Sequence, residues 1–225
     1  MNILDTIDSV DRIRALNDKE LSQLCTELRR LIIETTLQNG GHLSSNLGVI
    51  ELTVALLRCF DVPKDKIVFD VGHQSYAYKI LTGRYKQFST LRKKDGLAGF
   101  PRTSESEYDA FSAGHASTSI SAGLGLARAR DICGQTHHVV SVVGDGALTG
   151  GMCYEAMDDG GTVKTPFIVI LNDNRMSIAR SGRGKLIFEP AATAITETSK
   201  AGTKIVTIPK IGSGLAADGA DEKPH

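Results

Sequence analysis

His138-Val139-Val140-Ser141-Val142-Val143-Gly144-Asp145-Gly146 and Pro166-Phe167-Ile168-Val169-Ile170-Leu171-Asn172-Asp173-Asn174 decide how this chain is read. Each is an apolar run of strand length that stops abruptly at polar residues. Strands apolar on both faces belong to parallel sheets covered on both sides. A helical stretch from Leu148 to Asp158 joins the two runs, as a parallel crossover requires. In open parallel sheets, ligands bind beyond the carboxyl ends of the strands. Asp145 and Asn174 stand at two such ends. Mg²⁺ takes one or two protein oxygens and completes its octahedron with phosphate oxygens and water, so this pair suits a cation bound with a diphosphate. Gly144 and Gly146 permit close backbone approach, and the helix near Leu148 would turn its free N–H groups toward an anion. Taken alone, Gly-Asp-Gly is more often a tight turn with Asp as cap. The second strand end favours the site.

Outward from these runs the alternation continues. Lys66-Ile67-Val68-Phe69-Asp70 reads as a strand ending at Val71-Gly72-His73-Gln74, and Tyr76 to Thr82 as helical. Residues 86–109 read as a long polar loop, and Thr118 to Ile132 as a small-residue helix. Upstream, Asn17 and Glu20 have capping-box spacing ahead of a helix over 17–37, with Leu21, Leu24, Leu28, Leu31 and Ile32 as its buried stripe. A second helix is expected from Leu47 to Phe60. The fold class is therefore α/β, a parallel sheet with helices on both faces. Residues 1–180 form the domain. Residues 181–225 read as a divergent, largely irregular tail, with one strand expected at Lys204 to Ile208 and the last dozen residues disordered.

Composition sets outer limits. The 225 residues carry 26 basic and 26 acidic side chains and no net charge, which argues against a broad nucleic-acid or membrane footprint. No apolar stretch reaches the roughly 18 residues of a membrane span, and the N-terminus does not read as a signal peptide. The four cysteines show no paired spacing; buried free thiols in a reducing, cytoplasmic setting are expected.

Three Gly-His pairs, Gly41-His42, Gly72-His73 and Gly114-His115, fall at expected element junctions. Histidine suits proton transfer near neutral pH. Metal ligation is the other reading, although no spacing supports zinc. Glu51 is either half-exposed on its helix or buried with a partner. Arg84, Arg92, Lys93, Lys94 and Arg102 flank the loop and are either solvated or available to a phosphorylated substrate.

Gly41-His42 through Leu47-Gly48 to Glu51-Leu52 resembles the entry helix of transketolase-like thiamine diphosphate enzymes. Asp70-Val71-Gly72-His73-Gln74, Lys79 to Arg84, Ser106-Glu107-Tyr108-Asp109, Gly114 to Ser119, and Leu171 to Asn174 followed by Met176-Ser177-Ile178 narrow it. Together they resemble the 1-deoxy-D-xylulose-5-phosphate synthases, as far as about Ile178. The resemblance implies condensation of pyruvate with D-glyceraldehyde 3-phosphate and release of CO₂. It implies thiamine diphosphate and Mg²⁺ as cofactors, with Asp145, Asn174 and the Met176 carbonyl as metal ligands. Gly146 and Ala147 would contact the diphosphate. His73, Gly114, His115 and Ala116 would line the cofactor site, and His42 and His73 would be catalytic. The family usually has Ser where Ala116 stands. It builds its site between two domains, and residues from Ala179 onward match nothing of the second. A homo-oligomer or a second subunit is therefore expected, or else a fragment that binds Mg²⁺ and a diphosphate without turnover.

Overall fold

The computed structural model describes residues 2–162 and 165–173, and the backbone of Thr203–Pro209. The helices are α1 (Val10–Arg14), α2 (Asp18–Asn39), α3 (Leu43–Leu47), α4 (Ile50–Cys59), α5 (Tyr76–Lys79), α6 (Ser119–Ile132), α7 (Asp145–Leu148) and α8 (Gly151–Thr162). The strands are β1 (Lys66–Phe69), β2 (Val139–Gly144), β3 (Phe167–Asp173) and β4 (Thr203–Pro209). They lie in the order β1-β2-β3-β4, and all neighbours pair in parallel. The strand expected at Lys204 to Ile208 is thus present as β4. Beyond it, the expectations for 181–225 lie outside the described residues.

The apolar strands serve two cores because successive side chains leave opposite faces. Ile67, Phe69, Val140, Val142 and Ile170 join one core with residues of α1, α2, α4 and α5. Val139, Val143, Phe167, Val169 and Leu171 join the other with α6 and α8. Helices therefore cover both faces. The carboxyl edge of the sheet stays open to loops rather than packing.

Helix α2 begins as its sequence dictates. Asn17 Oδ1 accepts the N–H groups of Lys19 and Glu20 at 3.0 Å, and Glu20 reaches back to the Asn17 N–H at 2.9 Å. Leu24, Leu28 and Ile32 are buried, with Leu21 and Leu31 partly so. Glu51 is exposed and bridges to Arg29 at 2.8 Å.

Several expected elements are more broken than their sequence suggests. The helix expected over Leu47–Phe60 is α3 and α4, divided at Gly48-Val49. The one expected over Leu148–Asp158 is α7 and α8, divided at Thr149-Gly150. The stretch Tyr76–Thr82 kinks at Thr82 and Gly83, where Gly83 has φ 91°. The loop expected from residue 86 includes a 3₁₀ helix, Tyr85–Thr90. Its remainder is fastened to buried charges: Arg84 pairs with Asp109 at 2.7 Å and Lys79 with Glu105. Arg84 is therefore occupied and not free for a substrate phosphate. Of the free cysteines, Cys25 and Cys153 are buried as expected, whereas Cys59 and Cys133 are exposed.

Helix α6 sits unusually close to the sheet at Gly123. A Cβ there would lie 2.3 Å from Ser141 Oγ and 2.7 Å from the Phe167 ring. Ser141 is buried in β2 and donates to the Ser119 carbonyl at 2.7 Å. Gly123→Ala is expected to destabilise by about 1–3 kcal/mol through overpacking, more than the roughly 1 kcal/mol that Ala gains over Gly in a helix. Urea unfolding checks this; an unchanged or raised midpoint would contradict it.

Candidate functional site

At the end of β1 the chain turns sharply. Val71 has φ 57° and Gly72 φ 81°. A positive φ at a β-branched residue is costly and persists only where surroundings enforce it. Here Ser75 Oγ donates to the Gly72 carbonyl at 2.7 Å, and a Cβ on Gly72 would sit 2.3 Å from Pro101. The turn delivers His73. A second turn, at Gly41 with φ 133°, delivers His42. Asn46 joins them. Its buried amide donates to the His42 carbonyl at 2.6 Å and to the His73 carbonyl at 2.7 Å, and its Oδ1 accepts the Tyr76 N–H at 2.8 Å.

The two imidazoles meet edge to face, with centroids 5.3 Å apart, and Phe100 stands 5.8 Å from His42. Both Nδ1 atoms are buried without a hydrogen-bond partner among the described residues. Burial, then the charge of Arg92, holds the His42 pKa below its ordinary value. Burial, then His42, does the same for His73 against an opposing pull from Asp70. At neutral pH the pair is uncharged, with ring nitrogens able to accept or pass a proton.

The Gly114-His115-Ala116 segment is exposed and anchored by its neighbour. Ser117, with φ 69°, donates its N–H to Asp70 Oδ1 at 2.7 Å and its hydroxyl to the Ala147 carbonyl at 2.7 Å. The Ser119 N–H reaches the other Asp70 oxygen at 2.9 Å. A Cβ on Gly150 would lie 2.0 Å from Ser117 Oγ, so this approach requires glycine there. One serine thus ties the β1 end, the segment before α6 and the β2 end together.

Asp145 begins the one-turn α7, so the long helix whose N–H groups were expected to face an anion starts only at Gly151. Register places Gly144 beside Asn172, and Asp173 follows at the next strand end. Burial, and next among the raising influences the Asp173 charge, pushes the Asp145 carboxyl above its ordinary value, although the Gly146 N–H donates to it.

His42 and His73 therefore touch, and Ala147 connects to the His115 segment through Ser117. His115 makes no ring contact with the other two among the described residues. Asn174 and Met176 lie outside the described residues, and within those described no three His, Cys, Asp or Glu are grouped to hold a metal. Sequence reasoning missed Asn46, Asp70 and Ser117 as organisers. The signal for Asp70 was available, because a carboxylate directly ending an apolar strand needs donors.

A family model described as 1-deoxy-D-xylulose-5-phosphate synthase matches residues 4–212. A protein of that description from Clostridium botulinum (strain Eklund 17B / Type B) is 57% identical over 178 residues, covering 79% of this chain and 29% of the relative. One from Carboxydothermus hydrogenoformans is 57% identical over 179 residues, covering 80% and 29%. One from Clostridium kluyveri is 49% identical over 221 residues, covering 96% and 35%. The chain thus spans about a third of the length of these relatives. The last match and the family model both run well beyond Ala179, so the similarity does not stop where the recognisable motifs end. With nearly its whole length accounted for, the chain belongs to the 1-deoxy-D-xylulose-5-phosphate synthase family.

Proposed function

We propose that this chain carries the diphosphate-side part of a thiamine diphosphate-dependent synthase that condenses pyruvate with D-glyceraldehyde 3-phosphate and releases CO₂. Residues 1–180 hold most of the binding domain in this reading, and the stretch 181–225 continues it, since Thr203–Pro209 pairs with β3 and the family match runs to residue 212. The observation that carries it is the Ser117 bridge. It draws the strand ends bearing Asp70 and Asp145 to one edge, beside the turn that presents His73.

The residues present fit the cofactors. A half-buried carboxylate at a strand end, facing a second acidic residue, supplies the hard oxygen that Mg²⁺ prefers. Asp145 would hold the ion, with Asn174 and the Met176 carbonyl as its proposed co-ligands. Gly146 and Ala147 would meet the diphosphate, and Gly114, His115 and Ala116 would flank it. The buried Nδ1 atoms of His42 and His73, without a partner among the described residues, suit a ligand with polar groups. Thiamine diphosphate supplies the carbanion chemistry when bound, and the protein supplies position and electrostatics. His42 and His73, held neutral by burial, accept or return protons at their ring nitrogens. Asn46 fixes both by their carbonyls. The free cysteines suit a cytoplasmic setting, and among the described residues no helix is long and apolar enough to cross a membrane.

The coverage of the relatives favours a narrower reading of the 225-residue polypeptide by itself: it binds Mg²⁺ and the diphosphate without turnover. Incubation with pyruvate, glyceraldehyde 3-phosphate, Mg²⁺ and thiamine diphosphate separates the two. The narrower reading predicts no product, and sustained product formation would overturn it.

Two expectations concern Asp145. Asp145→Ala should weaken Mg²⁺-dependent thiamine diphosphate binding by roughly tenfold or more in calorimetry; unchanged affinity would remove the metal assignment. In the cation-free chain, Asp145→Asn should raise the thermal midpoint at neutral pH. The folded-state carboxyl is raised, so its ionised form opposes folding above that pKa, and the opposition fades as pH falls through it. The gain should therefore shrink in acid. A lower midpoint at neutral pH would contradict this.

A further inference from the structure

Away from Asp145, the buried Lys79, Arg84 and Asp109 and the partly buried Glu105 form a cluster of four charges, two of each sign. Lys79 is wholly buried, and its ammonium bonds to Glu105 Oε1. Arg84 Nη1 reaches the same oxygen at 3.0 Å and Asp109 Oδ2 at 2.7 Å, while Nη2 reaches Asp109 Oδ1 at 2.9 Å. Burial alone would raise the Glu105 carboxyl. The Lys79 hydrogen bond, the Ala98 N–H and the two cations outweigh it and hold the group below the ordinary range.

Buried ion clusters are a weak source of stability, because apolar residues of similar volume often serve the fold as well. What these charges do besides neutralise one another is bind backbone. Glu105 Oε2 accepts the Ala98 N–H at 2.8 Å, and Asp109 Oδ2 accepts the Arg102 N–H at 2.9 Å. The two bonds grip both ends of the strap Ala98-Gly99-Phe100-Pro101-Arg102. Its middle faces the histidines: Phe100 packs on His42, and Pro101 lies against Gly72, next to His73. The Pro101 carbonyl also accepts the Ala113 N–H at 3.2 Å, just before the Gly114 segment.

We propose that Lys79, Arg84, Glu105 and Asp109 are positioning residues that hold the strap Ala98–Arg102 as a wall over the His42–His73 pair. They touch neither histidine. Their effect passes through the Ala98 and Arg102 N–H groups. The inference rests on the reading of His42 and His73 as site residues, but its structural content is independent of any cofactor.

The chain contains no tryptophan, so Phe100→Trp provides a single emission reporter on the strap in the cofactor-free 225-residue chain. Adding Glu105→Gln leaves Lys79 and Arg84 facing one carboxylate. The expected result is red-shifted emission and severalfold stronger acrylamide quenching, with native far-UV dichroism. Asp65→Asn is the matched control. Asp65 is also buried and accepts two backbone N–H groups, from Asp61 and His138, both at 2.7 Å, but at the amino end of β1. It should leave the reporter at its parent values. Lys79→Met with Glu105→Gln removes one charge of each sign and keeps an oxygen for the Ala98 N–H, so it should restore the parent emission. A reporter unmoved by Glu105→Gln, one moved equally by Asp65→Asn, or one still exposed in the double variant would overturn the proposal. Should Glu105→Gln alone fail to fold, the double variant decides: parent emission supports the proposal and exposed emission overturns it. Calorimetry on Asp145→Ala is read separately, so failure of the cofactor assignment leaves this result standing.

Discussion

Asp70 ends β1 almost entirely buried, and a buried carboxylate is tolerated only where donors surround it. Its two oxygens take the N–H groups of Ser117 and Ser119, from a segment nearly fifty residues later. Those bonds seat the start of α6 over the carboxyl edge of the sheet. They leave Gly114, His115 and Ala116 exposed just ahead of it, and they put the Ser117 hydroxyl within reach of the Ala147 carbonyl. Beyond the β1–β2 pairing itself, this one side chain ties the His73 turn to the segment that reaches the Asp145 turn. Without its donors the carboxylate would be stranded, and without the carboxylate the left-handed Ser117 would lose the acceptor of its N–H.

A second constraint acts on the other side of the His73 turn. Asn46 uses both donors and its acceptor on three backbone groups. An amide that commits both donors and its oxygen inside the protein orders the turns it joins. The imidazoles of His42 and His73 are in consequence fixed through their own backbones, while their buried Nδ1 atoms have no hydrogen-bond partner among the described residues. The main chain is over-determined and the ring nitrogens are not, a combination that suits a site for an exchangeable ligand.

Much of this edge was legible in the sequence. Asp145 and His73 follow apolar strands, and a strand end in a parallel sheet has one direction in which to point. The capping box at Asn17 and the stripe of α2 were equally local, and both formed as read. What escaped was long-range. Nothing near Lys79 announces Glu105, since the pairing is set by the way the loop returns over α5. The one clue was a lone lysine inside Tyr76-Ala77-Tyr78-Lys79-Ile80-Leu81, where every neighbour is apolar. Arg84 looked like any loop cation for the same reason. The helix breaks at Gly48-Val49 and Thr149-Gly150 were hidden because the apolar pattern continues through them. At Gly150 the break answers to Ser117, a residue that only the fold brings near.

Cation and diphosphate are proposed to meet at the β2 carboxyl end, at Asp145. Paramagnetic Mn²⁺ in place of Mg²⁺ tests it most directly, read by nuclear magnetic resonance of the backbone amides with thiamine diphosphate present. Selective, diphosphate-dependent broadening of Gly144–Ala147 and Leu171–Asp173 is expected, with Asp65 and Lys66 at the opposite edge left sharp. Broadening centred elsewhere, such as around Glu51, or equal broadening at both edges of the sheet, would contradict it.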